Sequence, residues 1–123
     1  MVLVQMGSQL TRSVEASTMT NCPACPVRLK PNWPLLKPYT VHIHVKDAVL
    51  KDKKIVPAGQ GDGDIGEILK DFYASGYRGF LTLEPHLGVA GQFSGFTGPK
   101  LFKAATDALK DVCRQNGIPL AGS

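Results

Sequence analysis

Long apolar runs, one-sided charge and cysteine are all scarce in this chain of 123 residues. No apolar stretch approaches the roughly 18 residues that a bilayer span needs, and the N-terminus lacks the basic and apolar regions of a signal peptide. Three cysteines cannot all pair within one chain, which favours a reducing compartment. We therefore expect one soluble, cytoplasmic domain with no membrane partner.

The charge and cysteine patterns also argue against two common partners. The net charge of +4 is spread along the chain, and its densest run, Lys51–Lys54, contains an acidic residue and no aromatic residue. This pattern gives no support for nucleic acid as the principal partner. Cys22 and Cys25 have the spacing of half a zinc knuckle, but no second Cys/His pair follows at the usual distance, so a structural role is favoured over zinc.

The N-terminal quarter has no sustained periodicity of either kind. Residues 1–30 are rich in Ser, Thr and Pro and are therefore expected to form an irregular or disordered leader. Pro31, Pro34 and Pro38 are expected to keep the following segment extended, because proline fixes φ and disfavours helical geometry in its predecessor. Regular structure should then begin near Tyr39.

Periodicity predicts four elements after this leader: a strand from about Tyr39 to Lys46, a helix between Asp64 and Gly76, a short strand over residues 80–84 and a helix from Pro99 to about Gly117. In the first strand, polar and β-branched residues alternate. Asp64 is expected to cap the first helix, with Glu67 completing a capping box. The order strand, helix, strand implies a parallel pair, so the predicted fold class is α/β in a β-α-β-α order.

Two residues at strand ends are the candidate site. His44 and Glu84 each occupy the carboxyl end of a predicted parallel strand, which is where functional residues gather in β/α proteins. Neighbouring strands lie about 4.8 Å apart, so an imidazole and a carboxylate on the same face can reach one cation. Hydrogen bonding at a surface, without metal, is the alternative for both side chains.

Four further residues lie near this pair in the sequence. His42, on the same face, is interpreted as a packed imidazole or one that orients a metal ligand, rather than as a ligand itself. Lys46, Asp47 and His86 lie just beyond the strand ends, where they can contact either substrate or solvent. The residues between Asp47 and the first helix are long for a strand-to-helix connection, which is typical of a lid or binding loop.

Glycines are concentrated at the end of this connection, in Gly59–Asp64. Such a sequence can turn tightly and present backbone N–H groups to an anion. It fails the dinucleotide fingerprint, lacks the Gly-Lys-Ser/Thr of a P-loop and does not complete a calcium loop. Structural turn chemistry is therefore favoured over phosphate binding.

Three ordered blocks, Val41–Ala48, Val56–Asp62 and Gly76–Leu87, resemble the end of the xylose isomerase-like TIM-barrel family. This family includes sugar phosphate isomerases and epimerases, ketose 3-epimerases, inosose dehydratases and, more distantly, endonuclease IV. The resemblance extends from about Trp33 to Leu120. It implies that residues 31–123 are the C-terminal part of a (β/α)8 barrel, namely its last two β/α units, preceded by an unrelated leader.

The resemblance also implies roles for the candidate residues. His44 matches a metal-binding histidine, and Glu84 matches a metal-binding glutamate that also acts as an acid/base catalyst in the epimerases. Lys46 and His86 match positions that line the substrate site. The cofactor implied is a divalent metal (Mn, Mg, Co or Zn). The family's other Glu and Asp ligands have no counterpart in residues 1–30, so metal binding by the isolated chain is expected to be weak or absent.

The function implied is that of a fragment of a metal-dependent isomerase or epimerase that moves a proton next to the carbonyl of a sugar or sugar phosphate. The chain is too short for full activity to be expected of it. Two alternatives stay open: an endonuclease IV-like hydrolase, against which the lack of histidine between Asp47 and Gly63 argues, and a non-catalytic remnant. Two strands cannot close a barrel, so a homo-oligomer that covers the exposed strand edges is one way to bury them.

Overall fold

The computed structural model of the chain describes residues 2–6, 14–15, 29–49, 51–52, 54–85, 87 and 98–121. Six strands, three α-helices and one short 3-10 helix, Lys37–Tyr39, occur in these residues. The strands are β1 (Val2–Met6), β2 (Val14–Glu15), β3 (Thr40–Val45), β4 (Asp47–Val49), β5 (Lys54–Val56) and β6 (Leu81–Leu83). The helices are α1 (Leu29–Leu36), α2 (Ile65–Ala74) and α3 (Gly98–Gln115). The fold is thus a mixture of helix and strand, in agreement with the predicted α/β class.

The four elements predicted from periodicity are all present. β3, α2, β6 and α3 each lie within two residues of the predicted bounds. β3 and β6 pair in parallel, with Ile43 opposite Leu81 and His44 opposite Thr82. The predicted β-α-β unit is therefore confirmed, and it brings the carboxyl ends of β3 and β6 to the same edge of the sheet.

The segment before β3 differs from the prediction. β1 and β2 lie within residues 1–30, and β1 pairs antiparallel with β3, which gives the sheet the order β2-β1-β3-β6. The prediction of an irregular leader is therefore wrong for these two strands. In a (β/α)8 barrel every neighbouring strand is parallel, so β1 is an addition that the barrel pattern does not contain.

The prediction that the segment before β3 is extended is also wrong, because residues 29–36 form α1. Pro31 lies in the first turn, where the N–H has no acceptor within the helix, but Pro34 removes a helical hydrogen bond. A tertiary contact offsets that loss. Trp33 is buried against Phe72 in an edge-to-face contact, and its indole N–H donates a 2.7 Å hydrogen bond to Asp71.

The hydrophobic core lies between one face of the sheet and the two long helices. Ile43 and Val45 project from β3 and are fully buried, as their alternation with polar residues predicts. The helices supply the other side of the core, through Ile65, Ile68, Leu69 and Phe72 of α2 and Ala105, Leu109, Val112 and Cys113 of α3. These buried residues recur at helical spacing, and the two helices cover the face of the sheet opposite to the polar residues.

The predicted capping box at the start of α2 is wrong. Asp64 occupies the cap position, but its backbone has a φ of 51° and its side chain makes no capping hydrogen bond. A capping side chain needs extended backbone geometry at this position, whereas Asp64 is left-handed. The turn that precedes α2 is instead organised by another carboxylate, that of Asp47.

Of the helices in the described ranges, none has the length and hydrophobicity that a membrane crossing requires.

Candidate functional site

The two candidate ligands meet at the carboxyl edge of the parallel pair. His44 is the fifth residue of β3, and Glu84 directly follows β6, where its N–H donates to the carbonyl of Val45. This hydrogen bond continues the strand pairing by one step and fixes the backbone of Glu84 beside β3. The alternation of β3 places His44 on the face that the helices do not cover. The backbone alone therefore brings the two residues together.

The side chains of this pair lie within reach of one another. Nδ1 of His44 is 3.8 Å from Oε2 of Glu84, and the two side chains are 28% and 32% exposed. This distance is too long for a hydrogen bond. Two atoms that each bind one zinc ion at about 2.1 Å are at most about 4.2 Å apart, so the observed separation fits a shared cation. The partial exposure makes both side chains accessible from solvent.

His42 lies beside this pair but makes its hydrogen bond elsewhere. Its Nε2 is 2.7 Å from Oγ1 of Thr82, the residue of β6 that is paired with His44. Its ring meets that of His44 edge to face, with the centroids 5.0 Å apart. Burial, and then the charge of His44, lower the pKa of His42 below its usual value of 6.5. The lowered pKa favours the neutral imidazole, whose ring packs against His44 and whose orientation the contact with Thr82 fixes.

The remaining predicted site residues fall in different places. Lys46 directly follows β3 and is half-buried. His86, Cys22 and Cys25 lie outside the described residues, so the structure does not test the expectations for them. No group of three or more His, Cys, Asp or Glu side chains that could hold a metal ion occurs in the part of the chain that the structure describes. The site there consists of one imidazole and one carboxylate.

The long connection between β3 and α2 is held together by hydrogen bonds among its own residues. β4 and β5 form a hairpin, and Asp47 is only 1% exposed. Its Oδ1 accepts hydrogen bonds from the N–H groups of Ala48 and Gly63, and its Oδ2 accepts from Gly59 and Gly61, at 2.9–3.1 Å. The glycine-rich turn does present N–H groups to an anion, as its sequence suggested, and that anion is Asp47.

Asp47 is the residue whose role the sequence did not reveal. It was expected to contact substrate or solvent, but its carboxylate accepts hydrogen bonds from four backbone N–H groups. The glycines allow this arrangement because a Cβ at Gly61 or Gly63 would collide with the Asp47 carboxylate. The available signal was an acidic residue two positions after a strand, with three glycines at alternate positions 12 to 16 residues later.

Comparison of the chain with protein-family models, with curated proteins and with solved structures gives no match. The function proposed below therefore rests on the geometry of the described residues and on the resemblance of the three sequence blocks.

Proposed function

We propose that residues 31–123 carry half of a divalent-cation site belonging to a sugar or sugar phosphate isomerase or epimerase. The observation that carries this proposal is the 3.8 Å separation between Nδ1 of His44 and Oε2 of Glu84 at the carboxyl edge of two parallel strands. An imidazole nitrogen and a carboxylate oxygen suit zinc, cobalt, manganese or, less well, magnesium. The resemblance of the three sequence blocks to the xylose isomerase-like family supplies the reaction class.

The chemistry follows from what each group can do. A bound cation would polarise a carbonyl and its neighbouring hydroxyl, which acidifies the adjacent carbon. Glu84 would take the proton from that carbon or return it, because its carboxylate is partly exposed beside His44 and would lie next to the bound cation. Lys46, at the end of β3, is the candidate to contact a sugar hydroxyl or a phosphate. His42 would hold the ring of His44 in place.

A chain without catalytic activity is the second candidate. Its specific support is that the described residues place only two candidate ligands together, whereas catalytic zinc sites have three protein ligands. In this case the chain would bind a cation weakly and would not move protons.

Two measurements on the full chain separate these candidates. Titration with Mn²⁺, followed by its electron paramagnetic resonance signal, should show one weak site that is lost in His44→Ala and in Glu84→Gln. Glu67→Gln, which removes the same charge from the exposed face of α2, should leave binding unchanged. Equal binding by all these variants would refute the cation site.

The second measurement is deuterium incorporation from D2O into ketoses and ketose phosphates, read by NMR with and without Mn²⁺. Incorporation at the carbon next to the carbonyl, lost in Glu84→Gln, supports the isomerase or epimerase. Mn²⁺ binding without incorporation supports the non-catalytic chain.

A further inference from the structure

An apolar groove lies between α3, β6 and the C-terminal part of α2. Its cavity volume is about 890 Å³, within the range of roughly 300–1,000 Å³ that is usual for small-molecule sites. Aromatic and aliphatic side chains form most of its wall, among them Phe72, Tyr77, Phe80, Leu81, Phe102 and Leu120. Neither His44 nor Glu84 lines it. The groove is thus separate from the candidate cation site.

Two of its wall residues are unusually exposed for their type. Phe80 is 85% exposed and Phe102 is 49% exposed, although both are large apolar side chains. Exposed apolar surface of this kind is unfavourable in water and typically marks a binding groove. A ligand with an extended apolar part would remove both rings from solvent.

The charged residues of the groove indicate the other end of the ligand. Arg78 and Lys110 both line it, and among the described residues no acidic side chain does. Arg78 is held in place, since its guanidinium lies 4.0 Å above the ring of Tyr73 and donates hydrogen bonds to the carbonyls of Tyr73 and Tyr77. Lys110 is exposed on α3, whereas Lys103 on the same helix is paired with Asp107 at 2.6 Å. The groove therefore favours an anionic group.

We propose that this groove binds an anionic amphiphile, a long-chain carboxylate whose acyl chain lies along the aromatic wall and whose carboxylate meets Lys110 and Arg78. The charge complementarity selects an anion, and the aromatic wall selects an acyl chain. An extended peptide is the less favoured occupant, because the described edge of β6 spans only three residues, Leu81–Leu83, and offers few backbone hydrogen bonds.

The test uses the full chain and calorimetric titration with decanoate, decanol and decyltrimethylammonium below their micellar concentrations. Decanoate should bind more tightly than decanol, and decyltrimethylammonium should bind least. Dodecanoate, with two more methylenes, should bind up to about 15-fold more tightly than decanoate, because each buried methylene raises affinity about fourfold. Equal affinity for all three head groups would overturn the proposal.

Two pairs of variants on α3 locate the site. Lys110→Gln should weaken decanoate binding about two- to fivefold and leave decanol binding unchanged, while Lys100→Gln, exposed on the same helix but outside the groove, should change neither. Phe102→Ala should weaken both ligands, and Leu101→Ala, which is 42% exposed outside the groove, should not.

Two results would contradict this assignment. Binding unaffected by both Lys110→Gln and Phe102→Ala would place the amphiphile elsewhere. A chain that binds no amphiphile but sediments as a dimer, and becomes monomeric in Phe102→Ala, would show that a second copy covers the groove. Far-UV circular dichroism verifies that each variant keeps its fold.

Discussion

Removing the carboxylate of Asp47 should destabilise the fold more than removing any exposed acidic side chain. Asp47→Ala leaves four backbone N–H groups without their acceptor, those of Ala48, Gly59, Gly61 and Gly63. Hydrogen bonds to charged groups contribute about 1.5–3 kcal/mol each, but water will reach part of the emptied space, so we use about 1 kcal/mol per bond. The expected loss is about 4 kcal/mol, a large share of the 5–15 kcal/mol that stabilises a typical domain.

Urea unfolding followed by tryptophan fluorescence measures this loss. Trp33 is the only tryptophan and is buried in the core, so its emission reports the packing of α1 on α2. With a slope of about 2 kcal/mol per molar urea, the midpoint of Asp47→Ala should fall by about 2 M. The midpoint of Asp47→Asn should lie between those of Asp47→Ala and the wild type, because the amide keeps one acceptor oxygen and turns a donor toward two N–H groups.

The matched control is Asp52→Ala, which removes an exposed acidic side chain between the two strands of the same hairpin. Its free energy of unfolding should stay within about 0.5 kcal/mol of the wild type. The same small change in Asp47→Ala would refute the reasoning, because it would mean that the four N–H groups are satisfied as well by water as by the carboxylate.

Three further perturbations test the contacts that hold α1 and the glycine turn. Gly61→Ala should lower the free energy of unfolding by about 1–3 kcal/mol in the urea assay, because the added methyl group would collide with the carboxylate of Asp47. Trp33→Phe should lower it by about 1 kcal/mol, measured by circular dichroism, since the ring contact is retained but the hydrogen bond to Asp71 is lost. Hydrogen bonds from Lys37 and Trp33 lower the pKa of Asp71 below its usual 3.8. The stability that the ionised Asp71 adds to the folded state is therefore fully present above pH 3.8 and is lost as the pH falls through the pKa of the folded state. The difference in unfolding midpoint between the wild type and Asp71→Asn should therefore disappear in acid, and a difference that grew on acidification would contradict this sign.

The elements that flank the candidate site could be predicted because each has a clear period. In β3 the alternation of Ile43 and Val45 with His42 and His44 is the pattern of a strand with one buried face. In α2 and α3 the apolar residues recur at helical spacing, and both stripes reach the core. Once the two strands were parallel, the approach of His44 and Glu84 followed from strand geometry. Only the distance between their side chains could not be predicted from the sequence.

The parts that could not be predicted depend on contacts distant in sequence. α1 contains a proline in its interior, and the helix is held in place by contacts of Trp33 with Asp71 and Phe72. These two residues lie 38 and 39 positions further along the sequence. Local propensity contains no trace of that contact. Asp47 likewise resembles any acidic residue in a loop until three glycine N–H groups, up to 16 positions away, are seen to converge on it. In both cases a tertiary contact outweighs the local preference.

The position of β1 limits what the candidate site can bind. β1 pairs with β3 on the side opposite to β6, with Leu3 paired to His44 and Gln5 paired to His42. Neither residue type is an anionic or imidazole ligand. Leu3 is also paired with Glu15 of β2. The backbone of this acidic residue therefore lies two strand spacings, about 10 Å, from that of His44.

A shift of β1 by one residue would not change this limit, because it would place a valine opposite His44. An anionic or imidazole third ligand for a cation between His44 and Glu84 therefore cannot come from β1 in either register. If the proposed function is right, a complete site needs a different neighbour for β3, a strand that carries a carboxylate at the position where β1 now has Leu3. Leu3→Asp tests this step. Because the new carboxylate would stand one strand spacing from His44, the variant should bind Mn²⁺ more tightly than the wild type, and unchanged binding would mean that β1 does not limit the site.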